Sequence, residues 1–167
     1  EQAGARVLTL HARTRTEMYS GHSDWSEIRA VAEALEIPVV GNGDVRSGED
    51  ARRMREETGC AGIMIARGSH GAPWLFREAR AALDGAPIPD PPDVRERFEI
   101  AVEHARNAIA FEADERRAML EFRKHLGWYT KGLPEGRTLR QELFQVSTLR
   151  EMEERLSGYL AGAPVAA

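Results

Sequence analysis

Ile37-Pro38-Val39-Val40-Gly41-Asn42-Gly43-Asp44 decides the fold. An apolar run opens on a proline, which a strand tolerates at its first residue, and then breaks into small polar residues. That is the pattern of a buried strand feeding a tight turn. The same pattern repeats on either side. Upstream, Arg6-Val7-Leu8-Thr9-Leu10-His11 reads as a strand, and Asp24 with Glu27 three residues on predicts a capping box. The helix behind it puts Trp25, Ile28, Val31, Ala32 and Leu35 on one face. Downstream, Ser47 caps a second helix through Ala51 and Met54, which Gly59 closes in a left-handed conformation. Ala61-Gly62-Ile63-Met64-Ile65-Ala66 is a third strand, and Pro73 opens a helix through Trp74, Leu75 and Ala79 as its first-turn proline. Strand and helix alternating in this way predict a parallel sheet with right-handed crossovers. The nearly continuous apolar content of the strands predicts cover on both faces. Three parallel strands leave two unpaired edges, so the sheet is expected to be incomplete in this chain.

Beyond residue 83 the pattern changes. Pro87, Pro89, Pro91 and Pro92 crowd one short segment, which reads as a stiff linker over residues 84–93. From 94 to 167 only helical spacing remains. Asp93 and Glu96 cap a helix striped by Phe98, Ala101, Val102, Ala105 and Ile109; Met119, Phe122 and Leu126 mark the next. After the break at Gly132-Leu133-Pro134-Glu135-Gly136, Leu139, Leu143 and Val146 suggest a short third helix, and Thr148 with Glu151 opens the last. The expected fold is therefore α/β plus all-α: three βα units in residues 1–83, then a small helical bundle. At 167 residues the chain is too short for a complete eight-unit α/β barrel, which needs about 200–250.

Composition narrows the partners. No apolar run approaches the ~20 residues that span a bilayer, and Cys60 is the single cysteine, so a soluble, cytoplasmic protein without disulfides is expected. The histidines stand at no metal-binding spacing, and no metal is expected. The net charge of −4 argues against a generally basic nucleic-acid binder. One window departs from that average. Between Glu121 and Arg140, Arg123, Lys124, Lys131, Arg137 and Arg140 face only Glu121 and Glu135, and the chain's two lysines both fall here. Arg123, Lys124 and His125 followed by Trp128, Tyr129 and Lys131 pair positive charge with aromatic faces. That combination serves phosphate contact and base stacking in RNA readers. It equally serves a helical core closed by Trp128 and Tyr129 with the charges in solvent.

The polar residues with chemical potential gather at the C-terminal ends of the strands, where parallel α/β sheets build their sites. The first strand ends in His11-Ala12-Arg13-Thr14-Arg15, the second in Gly41-Asn42-Gly43-Asp44, the third in Ala66-Arg67-Gly68-Ser69. Small residues there let backbone N–H groups approach phosphate oxygens, and Arg67 adds a charged, bidentate partner. The glycines could also serve only to shape the turns. Asp44 is either an acid or base or, more simply, a brace for its loop, and Cys60 reads as a packed small hydrophobe.

The succession His11-Ala12-Arg13-Thr14, Asn42-Gly43-Asp44, Gly62-Ile63-Met64-Ile65-Ala66-Arg67-Gly68, Pro73-Trp74, Arg123-Lys124-His125 and Trp128-Tyr129-Lys131-Gly132 resembles the bacterial tRNA-dihydrouridine synthases over nearly the whole chain. That resemblance implies an FMN-containing α/β barrel followed by a helical domain, with NADPH as reductant and tRNA uridine as substrate. It implies that the three strands are the last three of the barrel, and that His11, Asn42, Gly43, Asp44, Ala66, Arg67 and Gly68 approach the flavin. Arg123, Lys124, His125, Trp128, Tyr129 and Lys131 fall on the part that helps hold tRNA. Ala12 and Ala66 depart from the family pattern, where glycine is common. The family's catalytic cysteine belongs to an earlier barrel loop, and Cys60 does not stand in its place. The chain alone is thus expected to be inactive and to hold FMN weakly, with the missing N-terminal half-barrel as a possible partner. Two other readings compete with it: a fragment of a different phosphate-binding barrel, or a non-enzymatic RNA-binding module.

Overall fold

The computed structural model describes residues 1–14, 16 and 21–162; Arg15, placed by the sequence after the first strand, lies outside them, as do the last five residues of the helical segment. The chain divides into two compact units, Glu1–Ser69 with Pro73–Asp90 and His70–Ala72 with Pro91–Ala167.

The first unit is built on strands β1 (Leu8–His11), β2 (Val39–Asn42) and β3 (Gly62–Met64), and helices α1 (Trp25–Ala34), α2 (Gly48–Thr58) and α3 (Leu75–Leu83). The strands pair in parallel in the order β1-β2-β3, with Leu8 beside Val39, His11 beside Asn42 and Asn42 beside Met64. Because side chains alternate along a strand, this register sorts residues into rows. Leu10, Gly41 and Ile63 share the face on which the helices lie. At Gly41 the approach is close: a Cβ would stand 3.0 Å from Met54 Sδ and 3.3 Å from Ile28 Cδ1. Ile28, Val39, Ala51, Met54 and Cys60 form the buried core there.

The opposite face differs from expectation. It carries the rows Thr9–Val40–Gly62 and His11–Asn42–Met64; Thr9 and His11 are exposed, and Met64 keeps 48 % of its surface in solvent. The strands are covered on one face rather than two, because the helices of this unit pack on the same side. Apolar content gave the strands but could not count the layers over them.

Caps account for most element boundaries. Ser47 accepts the Asp50 N–H, and Gly59 adopts φ +67° as its N–H returns to the Arg55 carbonyl. The capping box expected at α1 is not formed: the Asp24 carboxylate accepts from the backbone N–H and hydroxyl of Ser26, and Glu27 is exposed. Pro73 stands just ahead of α3, where its carbonyl accepts the Phe76 N–H, so the proline shapes the entry turn and the helix itself starts two residues later.

The second unit has helices α4 (Val94–Glu112), α5 (Glu115–Tyr129), α6 (Gly136–Leu143) and α7 (Leu149–Gly162). Helix α4 packs on α5 and α7, and α6 packs on both α5 and α7. Phe98, Ala101, Met119, Phe122, Leu126, Tyr129, Leu143 and Met152 are buried between them. Asp93 caps α4 through the Glu96 N–H. At α7 the capping box is complete: Thr148 Oγ1 accepts the Glu151 N–H, and the Glu151 carboxylate accepts the N–H groups of Ser147 and Thr148. Val146, expected in the third helix of this segment, lies beyond its end but is buried all the same.

Candidate functional site

The three strand ends of the first unit are tied into one structure. The Ala12 N–H donates to the Asn42 carbonyl at 3.1 Å, and the Asp24 N–H donates to the Ala12 carbonyl at 3.0 Å. The key tie is ionic. Arg13, its side chain 3 % exposed, donates to Asp44 Oδ2 at 2.6 Å; the same oxygen accepts the Ser23 N–H at 2.7 Å and the Ser23 hydroxyl at 3.0 Å. Partial burial raises the Asp44 pKa, but the Ser23 backbone N–H, the Arg13 guanidinium and the Ser23 hydroxyl outweigh it and bring the carboxyl down to about 2. So held, the carboxylate is ionised near neutral pH. Its contacts are those of a brace for its loop, the simpler of the two roles the sequence offered.

The signal for Arg13 was present but unreadable without register. His11 pairs with Asn42 in parallel, so the residues two positions on, Arg13 and Asp44, also become neighbours. Sequence reasoning singled out Asp44 and missed the cation that charges it.

Gly43 and Gly68 give up their side chains to their own protein. At Gly43, φ +142°, a Cβ would meet Ser23 Oγ at 2.5 Å. At Gly68 a Cβ would collide with the Val45 carbonyl oxygen. The loop after β2 and the turn after β3 therefore touch, and the two glycine motifs form one rim. The turn is a single 3-10 stretch, Arg67–Ser69, in which the Ala66 carbonyl accepts both the N–H and the hydroxyl of Ser69. Arg67 is exposed at its start. Asn42 is buried, and its Nδ2 donates to the Met64 carbonyl at 2.6 Å, whereas His11 beside it is exposed. The residues drawn together are thus His11 and Asn42 in one row and Asn42, Gly43, Asp44 and Gly68 along the rim.

A cavity of about 640 Å³ lies apart from that row, against α1, α2 and the loops before them. Of the residues the sequence singled out for a cofactor, only Asp44 lines it. Its arginines are already engaged. Arg53 reaches Asp50 at 3.3 Å and Glu57 at 3.5 Å with its guanidinium over the Trp25 ring, and Arg46 reaches Asp44 at 3.6 Å. It is not an anion cradle.

In the second unit the basic and aromatic residues separate into two groups. Lys124 and Lys131 are exposed. Arg123 is turned to structural use: its Nη2 donates to the Val146 carbonyl at 2.8 Å and to that of Gln145 at 3.2 Å, holding the connection between α6 and α7. Tyr129 is 2 % exposed; burial pushes its phenol up to about 12, and its hydroxyl meets His104 Nδ1 at 3.2 Å. A ring so enclosed offers no face to a nucleobase. His125 is half-buried, and its pKa falls to about 4 through burial first, then through the nearby His104, Lys124 and His70. Trp128, also half-buried, stacks on His70 with ring centres 4.1 Å apart. Among the described residues no three His, Cys, Asp or Glu side chains gather as a metal site, and no helix is long and apolar enough to cross a membrane.

Comparison with known proteins bears on the whole chain. A family model described as dihydrouridine synthase (Dus) matches residues 1–162. The chain is 42% identical over 162 residues to a probable tRNA-dihydrouridine synthase of Mycobacterium leprae, covering 95% of this chain and 42% of that protein. It is 39% identical over 163 residues to probable tRNA-dihydrouridine synthase 1 of Synechocystis, covering 98% and 45% respectively. It is 34% identical over 159 residues to tRNA-dihydrouridine synthase B of Pasteurella multocida, covering 95% and 48%. The chain spans less than half the length of these relatives.

Proposed function

We propose that this chain, which belongs to the dihydrouridine synthase family, supplies the flavin-phosphate end of the barrel and the RNA-holding helices of an enzyme that reduces uridine to dihydrouridine in tRNA. The observation that carries the reading is the uncovered sheet face. His11, Asn42 and Met64 form one row across three parallel strands, and the loops that follow β2 and β3 meet at Gly68. A row of polar and apolar side chains beside a rim with an exposed arginine suits a flat ring carrying an anionic tail.

The donor set fits FMN. Arg67 and the backbone N–H groups of the Gly43–Asp44 and Arg67–Gly68 turns would hold its phosphate, and His11 would donate to the ring or its ribityl chain. Met64 would supply apolar surface. Asn42 acts through the backbone, fixing β3 against β2. When bound, the flavin supplies hydride transfer from NADPH to the uracil ring. The chain's own residues hold, orient and exclude water. The general acid toward uracil belongs to the portion of the relatives that this chain does not span.

Lys124 and Lys131, both exposed, would meet tRNA phosphates, and a tRNA-modifying role suits the cytoplasm. The target uridine must leave its stack to reach a ring lying on the sheet.

The test has two arms. Dihydrouridine formation on unmodified tRNA is expected to be undetectable with the chain alone. It should appear, with FMN retained, once the remaining barrel strands of a relative are supplied as a separate polypeptide. Robust turnover by the chain alone would refute the assignment of the acid elsewhere. Failure to bind FMN even in the complemented protein would refute the flavin reading.

A further inference from the structure

Within the helical unit, Lys124, Gly127 and Lys131 follow one another at helical spacing. Lys124 lies a turn before Gly127 on α5, and the coil continues past the helix as the Lys131 N–H returns to the Trp128 carbonyl at 3.2 Å. Both lysines are exposed. Gly127 between them has no side chain, and α6 uses the room. A Cβ there would stand 3.4 Å from Phe144 Cζ and 3.9 Å from Arg140 Cδ. Arg140 and Phe144, a turn apart at the end of α6, therefore lie side by side across α5.

Neither is used up by the fold. Phe144 keeps 39 % of its surface in solvent. Arg140 is half-buried, its Nε is enclosed without an acceptor, and it makes no ion pair or side-chain hydrogen bond among the described residues. A donor enclosed without an acceptor carries a desolvation cost, and a guanidinium without a carboxylate is open to an oxyanion. The nearby carboxylates face elsewhere: Glu121 reaches Arg117 at 3.7 Å, and Glu135 and Glu142 line a hollow against α7 with Glu154. The rings of α5, by contrast, are occupied, since Tyr129 is enclosed and His70 stacks on Trp128. One exposed ring beside one unpaired guanidinium, flanked by two lysines, meets the needs of single-stranded RNA. It offers a face for an unstacked base and cations for the phosphates next to it.

We infer that Arg140 and Phe144, seated together on Gly127, form an RNA-binding pair in which Phe144 stacks an unpaired base and Arg140 takes the adjoining phosphate. The inference rests on reading these helices as RNA-holding, and it moves the stacking ring from α5 to α6.

Binding of an unmodified tRNA transcript to the 167-residue chain across a salt series tests this. Phe144→Leu keeps apolar bulk but no ring; it should weaken binding at least about fivefold and leave the salt slope of the parent. Phe144→Tyr should bind as the parent does. On a blunt RNA duplex, which offers no unstacked base, Phe144→Leu and the parent should bind alike. Arg140→Gln should lower the salt slope by about one, and Arg140→Lys should restore it. Both positions are partly exposed, so melting temperatures near the parent's are expected for all of these variants. Parental binding by Phe144→Leu or an unchanged slope in Arg140→Gln would overturn the inference, as would Phe144→Tyr binding as weakly as Phe144→Leu. Equal weakening of Phe144→Leu on tRNA and on duplex would overturn it as well. A parent chain that binds tRNA without salt dependence, or not at all, ends the RNA-holding reading and the inference with it. Variants that match a parent which does bind end the inference alone.

Discussion

The Asp44 carboxylate sits at φ +53°, in the left-handed region, directly after Gly43 at φ +142°. That turn is held by charge-assisted hydrogen bonds from Arg13 and Ser23 rather than by its own backbone preference. Asp44→Asn keeps the shape but removes the charge opposite a buried guanidinium. It should lower the stability of the first unit by about 2 kcal/mol, read from denaturant unfolding. The same carboxyl sets an acid dependence. With a folded pKa of about 2 against the ordinary value of 3.8, the unfolded chain binds the proton first. Its stabilisation is complete above that ordinary value and lost as pH falls through 2; the Asn variant should lack this component. A converse case lies at the end of α4, where Ala113 caps the helix at φ +59°. An L-residue there is strained, so Ala113→Gly should stabilise the helical unit by about 1 kcal/mol, measured as a raised melting temperature.

Helix α5 divides its side chains between packing and charge. Arg123 holds the connection between α6 and α7 by its carbonyls, so Arg123→Ala should cost about 1–2 kcal/mol of stability. Lys124→Ala and Lys131→Ala should leave stability near that of the parent; under the proposed RNA-holding role, each also lowers the salt dependence of tRNA binding by about one counterion. Equal loss of stability in all three would contradict this division. His125 adds a pH dependence of opposite origin to that of Asp44. Its folded pKa lies near 4, below the ordinary 6.5, because burial and the neighbouring His104, Lys124 and His70 disfavour the imidazolium. Between those values the unfolded chain takes up a proton that the folded chain refuses. Stability of the helical unit should therefore fall as pH drops from about 6.5 to 4, a slope that His125→Gln should flatten in melting curves. The mixture of arginine, lysine, histidine and aromatic residues was visible in the sequence as a charged, ring-rich helix. Which of them faced inward was not, because α5 packs on both α4 and α6, and two packing neighbours enclose more than one apolar stripe.

Across the whole molecule the telling feature is a parallel sheet with helices on one face and Thr9, His11 and Met64 open on the other. Exposed strand edges and an uncovered face are poor ends for a free-standing sheet. Complementation with the remaining strands of a relative should accordingly protect the amides of β1–β3 from exchange. It should also lower the binding of a hydrophobic dye to the first unit; an unchanged sheet on mixing would argue that this face has another purpose.

The order of strands and helices, the caps at Ser47, Asp93 and Thr148, and the glycine end of α2 followed from the sequence alone. They depend on local spacing, turn chemistry and hydrogen bonds within a few residues. The family, too, was legible, because an ordered series of short motifs survives without coordinates. Only the tertiary structure decided that Arg13 charges Asp44, that the room at Gly43 and Gly68 is filled by Ser23 and Val45, and that Tyr129 is enclosed while Trp128 carries His70. Each of those facts depends on which distant residues meet, and strand register and helix packing, rather than local preference, choose the partners.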